Sequence, residues 1–247
     1  MIILKHKRML YLLFGLLFLI LLLGWYFKEP LRLAHWDEDV RVLAAVEISE
    51  DQASVNFKGI RNWTYTRDEV LTKDYFSQSY QLEDLERTWF YLQPLDATGL
   101  IAHTFVVFEF AESYGDRRYL GISVETRRKQ GEDYSLLKGA LRGFMLVHTW
   151  ATEADLTSRR TDYYDYELFK YELQLSLADQ RGLFKAFARE TNQLHTKPQF
   201  YNTLTYNCTN VLAYYANKVK SGAIPWHYSF ILTGKSVEYL RKLGYIK

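Results

Sequence analysis

The sequence predicts an α+β fold, an antiparallel sheet packed against helices, preceded by one N-terminal transmembrane helix. Three observations lead there. The first is a charge-free apolar run, MLYLLFGLLFLILLLGWYF, at residues 9–27. The second is a set of short mid-chain segments whose residues alternate with the period of a strand. The third is a pair of segments late in the chain with apolar residues spaced for one face of a helix.

The run at 9–27 is close to the ~20 apolar residues that a helix needs to cross a bilayer core. Lys5, Lys7 and Arg8 precede it, and that basic flank predicts a cytoplasmic N-terminus with everything after Phe27 on the outer side. A cleavable signal peptide is the rival reading. The run is long for one, however, and ends in Trp25, Tyr26 and Phe27 where a cleavage site needs small residues. Trp25, Tyr26 and Lys28 supply the aromatic and basic belt of an outer interface. The chain then divides into a cytoplasmic end and anchor (1–28), a juxtamembrane segment (29–45) and one domain (46–247). Pro30 stops the anchor, and Asp37, Glu38, Asp39 and Arg41 keep the juxtamembrane segment at the water side.

Composition removes several classes. With 31 basic and 29 acidic residues dispersed along the chain, there is no nucleic-acid footprint. Four prolines and thirteen glycines argue against disordered linkers. Aromatic residues make up 17%, which suits a well-packed β core and also a surface against lipid headgroups. One cysteine excludes an internal disulfide, and a lone thiol outside the cytoplasm is a liability unless chemistry uses it.

Taken in order, residues 53–60 (ASVNFKGI, with Val55 and Phe57 alternating) and 87–92 (RTWFYL) read as strands. In residues 101–110, IAHTFVVFEF, His103, Phe105, Val107 and Glu109 share one face, while Thr104, Val106, Phe108 and Phe110 share the other. The charged stretch AESYGDRR turns the chain back into 119–126, YLGISVET, as an antiparallel hairpin. A turn centred near Tyr114 makes His103 and Glu125 cross-strand neighbours. Ser176 and Asp179 form a capping box, with Asp standing in for Glu, and open a helix that runs to Leu194. Its apolar side is Leu183, Phe184, Phe187 and Ala188. A second helix, 209–219, carries Val211, Leu212, Tyr215 and Val219 on one stripe, with Lys218 and Lys220 at its end, where positive charge suits the dipole.

Cys208 falls at the first turn of that helix, with Asn207 or Thr205 as its cap. Helix-start N–H groups and partial positive charge lower a thiol's pKa and receive an oxyanion. The other reading is a small core residue under the helix. A nucleophilic thiol needs a base. His6 falls in the cytoplasmic end and His35 beside the membrane, which leaves His103, His148, His195 and His227. His103 opens a mostly apolar strand and so has a defined orientation; a purely structural histidine is the competing reading. His195 and His227 lie in polar surroundings. No histidine pair at helical spacing and no cysteine pair is present, so no metal and no cofactor are expected.

The order of a His strand, a neighbouring polar strand and then a Cys helix resembles the permuted papain-like fold, which includes the NlpC-like hydrolases and relatives of lecithin:retinol acyltransferase. A closer resemblance rests on NFKGIRNWTY (56–65), AHTFVVFEF (102–110), ISVETRRKQGEDYS (122–135) and PQFYNTLTYNCTN (198–210). These are similar to the bacterial lipoprotein N-acyltransferase family called Lnb, in its N-terminal periplasmic domain. The resemblance implies that residues 46–247 form a papain-like catalytic domain on the periplasmic side of the bacterial inner membrane, with His103 and Cys208 as catalytic pair.

Expected chemistry follows in outline. His103 takes the proton of Cys208, the thiolate attacks a phospholipid ester, and an acyl thioester forms. By resemblance, the acceptor is the N-terminal amine of a lipoprotein. Glu125 or Ser123 orients His103, while helix-start N–H groups and the Asn207 amide hold the oxyanion. Arg127, Arg128 and Arg160 are candidates for a lipid phosphate, or ordinary surface charges. Tyr201 and Asn202 shape the pocket or pack beneath it. Expected partners are phospholipid, lipoprotein and membrane, and no nucleic acid. A cysteine hydrolase of cell-wall peptides or lipids, in which water resolves the thioester, is the second reading; a non-catalytic membrane-tethered binding module is the third.

Overall fold

The structure is a computed structural model that describes residues 2–112 and 117–247, without the side chains of 2–8, 10 and 21. The chain forms two compact units, Met1–Leu31 and Arg32–Lys247. The first is the helix α1 (Ile2–Tyr26) and the few residues after it. Among the described residues no helix is long and apolar enough to cross a membrane. The span expected at 9–27 takes in positions 10 and 21, whose side chains lie outside the described residues. The basic flank at Lys5, Lys7 and Arg8 also lies outside the described side chains.

The second unit takes in most of the stretch expected as a juxtamembrane segment. It contains α2 (Glu38–Arg41), capped by Asp37. It also contains Trp36, which bridges to Lys129. Strands β1 (Ala45–Ile48), β2 (Ser54–Tyr65), β3 (Val70–Gln81), β4 (Leu85–Pro94), β5 (Ala102–Ala111), β6 (Arg117–Arg127), β7 (Met145–Thr152) and β8 (Phe169–Glu172) join in one sheet. Its order is β1-β2-β7-β6-β5-β4-β8, with β3 on β2. The expected hairpin is β5 and β6, paired from Phe105↔Ser123 to Ala111↔Arg117; its turn at Tyr114 lies outside the described residues. One expectation needs correction. β2 and β7 meet in parallel, at Arg61↔Ala151, so the sheet is mixed rather than purely antiparallel. The long excursion through β3 to β6 gives the chain room for that crossover.

Gly59 explains why β2 runs past the point where its alternation stops. Its φ of +81° suits glycine, and it sits in a bulge between Lys58 and Ile60. Before it Val55 and Phe57 are buried on one face; after it Arg61, Trp63 and Tyr65 are buried on the other.

Helices α5 (Leu177–Thr196) and α6 (Cys208–Val219) cover the first face, together with α7 (Ser236–Lys242). The N-cap half of the predicted box is present, with the Ser176 side chain accepting from Asp179 N–H at 3.1 Å, while its hydroxyl donates to the Asp179 carboxylate at 2.8 Å. Phe184 and Phe187 pack against Val106, Phe108 and Phe110 of β5 in the main core. Gly182 lets the two helices close up, since a Cβ there would stand 2.7 Å from Val219 Cγ1. The opposite face carries Tyr91, Phe105, Val107 and Ala151 under Leu156 of α4 (Glu153–Ser158). Both faces of β5 are thus buried with the alternation read from its sequence. A π-helical turn, Arg159–Tyr163, continues α4, and α3 (Leu136–Ala140) lies between β6 and β7.

Candidate active site

α6 begins at Cys208 because Asn207 caps it. The Asn207 side chain accepts from Asn210 N–H at 2.9 Å and donates to the carbonyls of Thr203 and Phe230, each at 2.8 Å. The cap is therefore Asn207 and not Thr205. Both amide protons are spent on carbonyls, which corrects the role expected for Asn207: it fixes the helix start and has no donor left for an oxyanion. The first N–H groups of α6, at Cys208 and Thr209, have no carbonyl within the helix to reach.

The thiol is buried beside His103, Thr104 and Thr209, with Thr209 Oγ1 4.0 Å away. It meets the imidazole at the end of the sheet, beyond the last β5–β6 pair, where the two strands no longer bond. On its other side the imidazole is held: His103 Nε2 lies 2.7 Å from Ser123 Oγ and 3.3 Å from Glu125 Oε1. Ser123 donates to Glu125 at 2.6 Å, so the serine accepts from Nε2–H and passes the link to the carboxylate. With Nε2 engaged, Nδ1 is the nitrogen left for the thiol. The choice between Glu125 and Ser123 dissolves, since both hold the ring.

Arg160 backs the carboxylate. It reaches Glu125 Oε1 at 3.0 Å and Ser123 Oγ at 3.3 Å, while its other nitrogen donates to Leu156 O at 2.7 Å. Its guanidinium lies 4.5 Å over the Phe105 ring. The charges sort themselves accordingly. Burial pulls the His103 pKa down, but Glu125 and Cys208 outweigh it and raise the group to about 9. Burial opposes ionisation of Cys208, and the imidazolium and Thr104 overcome that and lower it. Burial likewise works against the Glu125 carboxylate, which His103, Arg160 and Arg159 nevertheless hold well below the usual range. The arrangement favours a thiolate–imidazolium pair at neutral pH.

Residues 72–233, more than half of the chain, match the family described as the Lnb N-terminal periplasmic domain. The chain belongs to the Lnb N-terminal periplasmic domain family. The Lnb span encloses His103, Ser123, Glu125, Arg160 and Cys208, and three of the four motifs read as similar to it; NFKGIRNWTY, at 56–65, lies ahead of it. No curated protein and no solved structure matches the chain.

In this Lnb domain the Cys208–His103 pair opens into a cavity of about 370 Å³. Arg128, Arg160 and Tyr201 line it. Arg127 and Asn202 do not. Arg127 donates to the carbonyls of Val40 and Arg41 at 3.0 and 2.9 Å and stacks on Trp36, pinning the N-terminal stretch; burial lowers its pKa to about 10. Asn202 closes a turn, donating to Ala140 O at 2.9 Å and accepting from the N–H groups of Leu204 and Thr205 at 3.0 Å. Arg128 is tied to Asp37 and Asp39 at 3.3 and 3.4 Å.

Two lining residues were not anticipated. Arg159 pairs with Asp39 in the wall of the cavity. Its presence depends on the π-helical turn, for which the sequence carries no plain signal. Gln93 is buried in the same wall and stands opposite His103 in the β4–β5 register. Extending the strand read at 87–92 by one residue would have found it. Of the other histidines, His148 is buried in the core, while His227 caps a short 3₁₀ turn and stacks on Tyr239 at 3.9 Å. Among the described residues no cluster of His, Cys, Asp and Glu has the makings of a metal site.

Proposed function

We propose that this domain is a thiol acyltransferase that moves an acyl chain from a phospholipid, through a thioester on Cys208, to the N-terminal amine of a lipoprotein. The observation that carries this reading is the buried contact of Cys208 with His103, whose far nitrogen is held by Ser123 and Glu125. Membership of the Lnb family supplies the substrate class. The order of a His strand before a Cys helix supports a permuted papain-like relationship.

In the first step Sγ attacks the ester carbonyl, and the N–H groups of Cys208 and Thr209 receive the oxyanion, with the Gln93 amide as a side-chain donor in the same wall. The tetrahedral centre collapses, the C–O bond breaks, and His103 gives its proton to the departing lysophospholipid oxygen. In the second step the amine attacks the thioester, His103 takes the proton, and Sγ leaves as thiolate. Arg128, held at 3.3 and 3.4 Å by Asp37 and Asp39, stands in the wall to pair with a headgroup phosphate.

The rim of the cavity favours lipid over peptide. Leu137 and Leu141, 70% and 55% exposed, stand on and just after α3, and exposed Leu136, Leu95 and Ile231 line the mouth itself. A bilayer substrate also gives α1 a purpose. Its charge-free run at 9–27 and exposed Leu12, Phe14 and Phe18 suit an uncleaved anchor in the inner membrane, with the domain on the periplasmic side. Resistance of the full chain to carbonate extraction tests the anchor.

Intact mass after incubation with phospholipid vesicles tests the chemistry. The native chain gains a fatty-acyl mass that hydroxylamine removes, and Cys208→Ala and His103→Ala do not. Adding a peptide with a lipid-modified N-terminal cysteine discharges the adduct onto its amine. Discharge as free fatty acid alone would make the enzyme a hydrolase, and no adduct with any lipid would end the acyl-transfer reading.

A further inference from the structure

α3 packs in reverse. Of its five residues, LLKGA, the buried one is Gly139, where a Cβ would stand 2.2 Å from Thr203 Oγ1, and the leucines are left outside. Leu136 and Leu137, with Leu141 just past the helix, are 50%, 70% and 55% exposed. A helix laid on a core in water buries its leucines instead. We infer that the rim of the Cys208 cavity is a bilayer-docking surface: α3 and the segment 226–231 dip into a leaflet that contains anionic phospholipid, and the mouth opens directly onto the lipid. The inference rests on the acyl-transfer reading above, and it assigns to the domain itself a membrane contact that a tether alone does not supply, since a tether does not choose which face meets the bilayer.

Two further observations point to lipid as the occupant of this face. The first is place and composition. Leu136 and Ile231 are both exposed and both line the cavity, so they stand at its mouth. Thr203 donates to Leu136 O at 3.0 Å and Asn202 to Ala140 O at 2.9 Å, which sets the exposed Leu204 beside α3. With Ile231 come Tyr228, exposed at the start of the 3₁₀ turn before it, and Trp226, 73% exposed. Leucines accompanied by tryptophan and tyrosine are the side chains of a membrane interface.

The second is charge. Residues 134–152 and 191–237, which supply α3, Leu204 and the segment 226–231, contain no aspartate or glutamate, in a chain with 29 acidic residues among 247. They hold Arg142 and Lys235, together with Lys138, whose ammonium is paired with Glu132. An apolar face bordered by bases and free of acids in its own sequence complements anionic headgroups and repels none of them. Docked this way, a phospholipid ester reaches Sγ without its acyl chains crossing water, whose avoidance is the gain that draws the leucines in.

Cys208→Ala removes the one thiol of the chain, so a nitroxide can be placed on a single introduced cysteine in the full-length protein. Leu137→Cys reports on the rim, and Leu71→Cys, at an equally exposed leucine of β3, reports on the rest of the surface. In vesicles of phosphatidylcholine and phosphatidylglycerol, oxygen and nickel-chelate relaxation should place the Leu137 label ~5–10 Å inside the bilayer boundary and the Leu71 label in water. In phosphatidylcholine alone the Leu137 label should retreat toward the surface. In the chain that keeps Cys208, Leu137→Glu should cut thioester formation from vesicle phospholipid about tenfold, and Leu137→Phe should restore it. A native melting temperature for the glutamate variant assigns that loss to docking, because the side chain it replaces stands outside the core. A Leu137 label as wet as the Leu71 label, or a glutamate variant that acylates at the native rate, would overturn the docking surface and leave acyl transfer standing. A label at bilayer depth on a protein that gains no acyl mass from any lipid would do the reverse, ending acyl transfer while the docking surface holds.

Discussion

His103 and His148 lie on strands separated only by β6, and both are enclosed by the fold, yet they are driven in opposite directions. Around His148 there are rings and a hydroxyl. Phe187 and Tyr215 stand edge-on to it, Nδ1 lies 3.1 Å from Thr191 Oγ1, and Nε2 has no partner. Thr191 already donates to Phe187 O at 2.8 Å, so His148 is the donor and its ring is neutral. Burial alone lowers it to about 3. Burial acts on His103 in the same sense, but Glu125 and Cys208 supply charge and lift it to about 9. Enclosure makes a histidine inert until a charge is enclosed with it, and then makes the pair strong.

The largest test of that contrast removes the charged partner. Cys208→Ala or His103→Ala should lower thioester formation by at least ~10³-fold, whereas His148→Leu should leave the rate intact; quench-flow on vesicles compares them. Next comes the frame behind the site. Arg61 bonds Asp155 at 2.7 and 2.9 Å, and its other nitrogen holds Asp39 O at 3.0 Å. Asp155→Asn strands a buried guanidinium, and urea denaturation should show a loss of about 3–5 kcal/mol.

Glu125→Gln sharpens the comparison more finely. It removes the largest influence that raises His103, so the upper limb of the pH–rate profile should fall from about 9 toward an ordinary histidine value, with a rate loss on the order of a hundredfold. The two histidines should also tilt stability in opposite senses. The contribution of His103 is complete below its unfolded value of 6.5 and fades as the pH climbs through about 9. For His148 the folded value is the lower one, so the fold is penalised as pH drops from 6.5 toward 3, by up to ~1.4 kcal/mol per pH unit. Denaturation midpoints across that window should be flatter for His148→Leu. The smallest effect is expected at the Ser176 cap, where Ser176→Ala costs ~1 kcal/mol and leaves both histidines as they are.

Much of this was legible in the chain, and the gaps have causes. The β5–β6 hairpin announced itself by alternation, and it brought His103 to Glu125. Both helix starts were written in their caps, Ser176 and Asn207. β7, MLVHTWAT, escaped because a central strand buried on both sides has no alternation to read. β3 escaped for the opposite reason: mostly exposed, it presents no apolar face. Local sequence placed Asn207 correctly but assigned it the wrong work, since its two carbonyl partners come from Thr203 and from Phe230, twenty-three residues on. Arg127 and Arg160 look alike in a sequence; only the packing of α2 and the π-helical turn separates an N-terminal clasp from a brace for Glu125.

The stretch from Trp36 to Arg41 has a practical bearing on anyone who cuts this protein. Asp39 neutralises Arg159 and reaches Arg128, its carbonyl holds Arg61, and the carbonyls of Val40 and Arg41 clasp Arg127. A version trimmed to begin at β1 would strip Arg127, Arg128 and Arg159 of these partners and leave Arg61 with Asp155 alone, at the rear of the candidate site. A fragment intended for crystallisation or assay has to keep the segment from Trp36 onward, and proteolysis between α2 and β1 would loosen the wall of the candidate site without touching Cys208 or His103.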